Sequence, residues 1–294
     1  MKKTLLITGA TGFIGKHLLE CLEKNYADKY DIVLLSSTSH DVFKTVLHND
    51  YTFTKDDFHQ IGIIHINIVL HIGAFIPKSG PEANNIKESN SNISNTKYLL
   101  DHLPNIPSKF IFLSTIDVYG AMDTIIDEYK QPTPLTMYGW SKLYCEKMIE
   151  SWALDNKVVI QLLRVGHIYG KGEEAYKKVI PVNLQRIKNG ENPQIFGSGK
   201  EKRSFLHVDD VCNLIIKSLD LERYEGVINL CSNKSYTIKE IIELLLKITN
   251  SNLKIEYKQS HLQGIDYVFD TSKMNQLLGY EQVSIEDGLK DEYN

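Results

Sequence analysis

Three glycines spaced three residues apart, Gly9, Gly12 and Gly15, constrain this chain more than any other feature. They stand between a short apolar run, residues 3–8 (KTLLIT), and a stretch of helical periodicity, residues 13–25. A strand that turns this sharply into a helix needs glycine backbone angles. It needs a bare backbone where the two elements meet, and it leaves the first N–H groups and the positive dipole end of the helix facing outward. A pyrophosphate fits that opening. The loop therefore predicts dinucleotide binding through Gly9, Thr11, Gly12, Phe13, Ile14 and Gly15; the alternative is a tight structural turn.

The rest of the chain repeats the same alternation. Residues 31–36, 66–72, 109–114 and 158–164 are short runs rich in Val, Ile and Leu, apolar nearly throughout, as strands covered on both faces are. Helical patterns at 82–103 and 138–154 separate the later ones. Strand–helix alternation predicts an α/β fold with a doubly wound parallel sheet of the Rossmann type over residues 1–165. Beyond that the pattern loosens. Residues 170–174 and 189–200 read as loops, 176–188, 208–221 and 237–249 as helices, and 226–231 as a strand. We read residues 166–294 as a smaller mixed α/β substrate-binding part, with a segment near 203–231 returning to the first domain. A cleft between the two parts is the expected ligand site.

Composition excludes several classes. Hydrophobic residues are 42% of the 294, enough for a large core. The net charge of −4 offers no basic surplus for nucleic acid or an anionic membrane surface. No apolar run approaches the ~20 residues that span a bilayer. The start, MKKTLLITGA, has two lysines like a signal peptide, but its apolar run stops at Thr8-Gly9. Cys21, Cys145, Cys212 and Cys231 lack disulfide or zinc spacing, which predicts reduced thiols, a cytoplasmic location and no metal.

Cofactor choice is read at the end of the second strand. A carboxylate there favours NAD by bonding the ribose 2′-hydroxyl. Here Ser36 and Ser37 stand instead, with hydroxyls that suit a 2′-phosphate. NADP(H) is therefore favoured, with NAD(H) the alternative. Asp57 is a further candidate, contacting adenine or capping a helix.

The chemistry lies further along. Tyr138 and Lys142 are separated by four residues and share one helix face. A tyrosine titrates near pH ~10, too high for base work at neutrality, and a neighbouring cation lowers that value. Ser114 and Thr115 end the strand at 109–114, where a hydroxyl can orient a substrate oxygen. Together these groups suit hydride transfer between a nicotinamide and a carbinol, with Tyr138 moving the proton.

TGATGFIG, LSTIDVYG and YGWSK together resemble the extended short-chain dehydrogenase/reductases, the nucleotide-sugar epimerase, dehydratase and reductase group. The resemblance runs along nearly the whole chain: residues 71–74 (HIGA), Asn92, residues 164–170 (RVGHIYG), 203–211 (RSFLHVDDV) and 270–279 (DTSKMNQLLG) match its motifs. It implies a nucleoside-diphosphate sugar as substrate, Gly73 and Ala74 beside the cofactor, and a homodimer built on helices near 92–103 and 138–154.

Three chemistries compete within that group. Dehydratases carry Asp-Glu directly after the threonine. Here the pair is Ile116-Asp117, and isoleucine donates no proton. Reduction of a 4-keto-6-deoxy sugar is favoured by the missing acid after strand two, the short chain, and His167 where epimerases often have Asn. A 4-epimerase is the alternative. A cofactor-binding regulator would lack a member of the catalytic set, and none is lacking. Arg203 is the candidate for the substrate diphosphate. Asp117, His167 and Phe196 are further substrate-side candidates. Residues 258–267 lack the second arginine that relatives place there, leaving Lys258 or His261 as substitutes.

Overall fold

The computed structural model describes residues 2–121, 125–260 and 264–293. Seven strands form one parallel sheet. They are β1 (Lys3–Thr8), β2 (Tyr30–Ser36), β3 (Lys44–Leu47), β4 (Ile68–His71), β5 (Lys109–Thr115), β6 (Val159–Val165) and, after four short strands, β11 (Ile228–Leu230). The sheet order is β11-β6-β5-β4-β1-β2-β3. Strand order reverses between β1 and β4, and the carboxyl ends of strands at such a switch point open a crevice.

Side chains alternate across the sheet, and helices cover both faces. Leu5 and Ile7 of β1 join one core with α1 (Phe13–Tyr26), α6 (Val208–Ser218) and α8 (Ser272–Leu278). Leu6 joins the opposite core with α2 (Lys55–Gln60), α3 (Ile86–His102) and α4 (Met137–Asn156). A third core lies outside the sheet. There α5 (Val179–Lys188), α7 (Ile238–Ile248) and α9 (Ile285–Tyr293) pack around Tyr169, Ile195 and Phe205. The short strands serve this part. β7 (His167–Tyr169) pairs with β10 (Phe205–His207), β8 (Gln194–Phe196) with β13 (Glu256–Lys258), and β9 (Lys202–Arg203) with β12 (Tyr236–Thr237). α6 and β11, both late in the chain, return to the large sheet.

Several boundaries differ from the sequence reading, each for a local reason. The helix expected over 82–103 is broken. Pro81–Asn84 is a short 3₁₀ turn, and the Asn85 side chain then caps α3 by accepting from the Glu88 N–H at 3.2 Å. The helix expected from 176 begins at Val179, because Lys178 is extended as its N-cap. Within the expected loop at 189–200, three residues pair as β8 with a strand distant in sequence. So short a strand has no period to read.

Candidate active site

The glycine loop is held by backbone contact. Gly9 has φ +74°, and a Cβ there would meet the Gly73 nitrogen at 2.5 Å. A Cβ on Gly15 would meet the Gly9 carbonyl oxygen at 2.2 Å. The ends of β1 and β4 thus touch through bare backbone. His71 fastens the same junction: its Nδ1 lies 2.7 Å from Thr8 Oγ1, which accepts from the Gly73 N–H, and its Nε2 lies 3.0 Å from Thr96 Oγ1. Burial pushes His71 down to about 3, so the ring is neutral.

A cleft of about 480 Å³ opens at this end of the sheet. Its walls include Gly9, Thr11, Gly12, Phe13, Ile14, Gly15, Gly73 and Ala74 on the loop side. On the far side are Ser114, Thr115, Asp117, Tyr138, Lys142 and His167. A dinucleotide fits these residues: the loop leaves a cradle that side chains would fill, and the buried Ser114 hydroxyl has no partner among the described residues.

α4 delivers Tyr138 and Lys142. Thr136 caps it by accepting from the Gly139 N–H at 3.1 Å. A Cβ on Gly139 would meet the Asp117 carbonyl oxygen at 2.5 Å, so only glycine lets the helix start rest on the turn after β5. That turn begins at Thr115, whose hydroxyl donates to Asp117 Oδ2 at 3.2 Å and accepts from the Asp117 N–H. Burial pushes the Tyr138 phenol well up, the Asp117 charge adds to that, and the Thr115 hydroxyl pulls it back. Burial also raises the Asp117 carboxyl.

Lys142 is buried in the cleft wall. Its ammonium lies 4.1 Å from the centre of the Phe112 ring, held against the sheet, and burial pulls it down to about 8. In this state burial, Asp117, Thr115 and Tyr176 act on the tyrosine.

A second cavity of about 410 Å³ adjoins the first, with His167, Ile168 and Lys178 lining both. Arg203 and Phe196 line the second only. Arg203 stacks over Tyr267 at 5.1 Å and donates to the Lys202 and Ile265 carbonyls. Phe196 is 63% exposed. His167 is pushed down to about 3 by burial, then by Arg203 and Lys178, and its buried Nδ1 has no partner among the described residues.

Other candidates lie apart. Asp57 does not line the cleft: it takes the helix-capping alternative, accepting from the Thr54 N–H and hydroxyl at 2.6 and 2.8 Å in the first turn of α2. Ser36 ends β2, buried, with Ser37 exposed beside it; neither lines the cleft. Lys258 pairs with Glu256 at 3.0 Å outside both cavities, and His261 falls outside the described residues. Sequence reading missed Lys178 and Tyr176 in the cleft wall, because it placed both inside a helix that begins only at Val179. It also missed the buried pairing of Arg164 with Glu146. No helix among the described residues is long and apolar enough to cross a membrane.

The model of the NAD dependent epimerase/dehydratase family matches residues 5–231. The dTDP-4-dehydro-6-deoxyglucose reductase of Escherichia coli is 28% identical, over 98% of this chain and 96% of its own. A UDP-glucuronate 4-epimerase of Thermodesulfobacterium geofontis is also 28% identical, over 97% and 93%. Among solved structures, the UDP-glucuronic acid 4-epimerase of Bacillus cereus in complex with NAD is 27% identical with a TM-score of 0.83, covering 99% of this chain and 97% of its own.

Proposed function

The chain belongs to the NAD dependent epimerase/dehydratase family, and from that premise we propose that it reduces the 4-keto group of a nucleotide-linked 4-keto-6-deoxyhexose, in deoxysugar or polysaccharide biosynthesis. One observation carries this reading. Thr115, Tyr138 and Lys142 are gathered beside the glycine loop, while Ile116 stands where a dehydratase has an acid. Water loss from a sugar needs that acid; reduction does not.

The cofactor, when bound along Gly9–Gly15, Gly73 and Ala74, supplies the hydride. The chain's own groups supply the proton and the positioning. Tyr138 Oη gives its proton to the carbonyl oxygen as that oxygen gains charge. Its high proton affinity in the ligand-free state keeps the proton on the phenol until then. Thr115 Oγ1 and Ser114 Oγ orient the same oxygen, and the Ser114 hydroxyl has no other partner among the described residues. Lys142 contributes a cation near the cofactor ribose. Arg203, Phe196 and His167 hold the nucleotide end, with Asp117 at the sugar.

The lack of a carboxylate at Ser36 and Ser37 supports NADP(H) over NAD(H). Free cysteines, with the redox chemistry, support a cytoplasmic location. A homodimer through α3 and α4 is part of the proposal. Their outer face exposes Ile86, Trp140 and Tyr144, large apolar groups that a partner copy would cover.

The test mixes the protein with NADPH or NADH and a panel of nucleotide-linked 4-keto-6-deoxy sugars. Stoichiometric loss of reduced-cofactor absorbance with one sugar supports reduction. No loss, with tightly held NAD released on denaturation and interconversion of sugar isomers, replaces it with epimerisation. The similarity to NAD-bound UDP-glucuronic acid 4-epimerase favours that second reading.

A further inference from the structure

A ligand that spans both cavities passes His167 and Lys178. Both Lys178 and Arg203 act electrostatically on the His167 ring, so two cations flank the passage. Lys178 is the N-cap of the ten-residue helix α5, with no side-chain cap bond and no acid in the first turn. Val179 and Ile180, at that helix start, line the second cavity, which adds positive dipole to the same place.

Behind the lysine lies Glu173. Its Oε2 is 3.9 Å from Lys178 Nζ, the side chain is 1% exposed, and neither oxygen has a hydrogen-bond partner among the described residues. A buried carboxyl left so bare is costly, and it makes the lysine's charge conditional on its own state.

We propose that Lys178 is the second cation gripping the substrate's diphosphate alongside Arg203, and that Glu173 is a positioning residue that governs how much of that charge the diphosphate receives. This rests on the nucleotide-sugar reading above. A diphosphate bridging a sugar and a nucleoside carries two negative charges, and Arg203 offers one positive charge. Residues 258–267 hold no arginine, and Lys258 is occupied elsewhere.

Charge control follows from the neighbours. Burial pushes Glu173 up to about 8; the Glu292 charge on α9 and Glu174 add to this, and Lys178 opposes it. Lys178 is drawn down by burial and up by Glu173, Asp117 and Glu292. Tyr176 also faces Glu173, and Lys188 faces Glu292. At neutral pH Glu173 holds a proton and does not compete for the lysine. Above about pH 8 the glutamate ionises and competes with the diphosphate for it.

The experiment is calorimetric titration of the whole protein with UDP, dTDP, CDP and GDP and with the matching nucleosides. The wild type is expected to bind one diphosphate much more tightly than its nucleoside. Lys178→Met should weaken that diphosphate about tenfold or more and leave nucleoside affinity unchanged, whereas Lys178→Arg should retain most of it. Diphosphate affinity of the wild type should fall from about pH 7.5 to 9, a range above the phosphate's own second ionisation. In Glu173→Gln that fall should vanish. A fall in Glu173→Gln equal to the wild type's overturns the control by Glu173. Diphosphate binding unchanged in Lys178→Met overturns the inference and leaves the nucleotide-sugar reading standing. A wild type that binds no nucleoside diphosphate overturns both. If the Met variant does not fold, Lys178→Arg and Glu173→Gln carry the same test through the pH profile.

Discussion

Arg164 on β6 and Glu146 on α4 form a two-point ion pair, Nε to Oε1 at 2.9 Å and Nη2 to Oε2 at 2.7 Å, and both are buried. Glu146 stands one helical turn beyond Lys142, and Tyr119 stacks beneath the guanidinium at 4.7 Å. The pair therefore sets how α4 is rolled against the sheet, and with it where Lys142 points. Removing one partner leaves an uncompensated buried charge. Glu146→Ala should cost about 3–5 kcal/mol, read from the urea midpoint. A loss below ~1 kcal/mol would show that the pair is not holding the helix.

Tyr138 is the proton donor of the proposed reaction. Tyr138→Phe removes one oxygen from a site whose packing is otherwise kept. Turnover should drop by roughly 10²–10⁴-fold, while cofactor affinity by fluorescence titration stays within a few-fold. Unchanged turnover sinks the mechanism.

Lys142 is buried and its ammonium is pulled from 10.5 down to about 8. Between those values the unfolded chain holds a proton that the folded, cofactor-free chain has released. Stability therefore rises with pH across that window, and the penalty is full below it. Its size is of order 3 kcal/mol at pH 7. Lys142→Met should be the more stable protein at pH 7 in urea, and its advantage should shrink as pH climbs from 8 towards 10.5. A pH-independent difference would refute the depressed value.

Gly15 packs against the Gly9 carbonyl oxygen so closely that a Cβ would lie 2.2 Å from it. Gly15→Ala must displace backbone. Cofactor affinity should fall by more than about tenfold, with a stability loss of roughly 1–3 kcal/mol. Wild-type affinity in this variant would mean that the loop does not cradle the dinucleotide.

Trp140 and Tyr144 are both more than half exposed on one face of α4. If that face pairs two copies, light scattering of the wild type will give twice the chain mass of 33.6 kDa. Replacing both by Asp should give a single chain with cofactor binding intact. A monomeric wild type refutes the dimer.

What was legible in the sequence was local. Gly9, Gly12 and Gly15 between a strand and a helix need no distant partner to be recognised. Tyr138 and Lys142 are one helical turn apart, a relation that sequence spacing states directly. Six of the seven parallel strands follow from the apolar runs; four-residue β3 was too short to be read. Asp57 shows the limit of such reading: an acid between the apolar runs at 31–36 and 66–72 suits adenine or a helix cap, and only the position of Thr54 decides for the cap.

By itself, then, the sequence determined the α/β architecture, the glycine loop between strand and helix and the shared helix face of Tyr138 and Lys142, because these depend on backbone angle, periodicity and i to i+4 spacing. Only the tertiary structure decided the electrostatics. Arg164 meets Glu146 eighteen residues away, and Lys178 feels the charge of Asp117, sixty-one residues before it. The charge state of Tyr138, Lys142 and Glu173 depends on burial among residues that the chain brings together only on folding. The burial of these polar groups has no signature in the order of the residues, since it belongs to the packed cores and to the cavities between them.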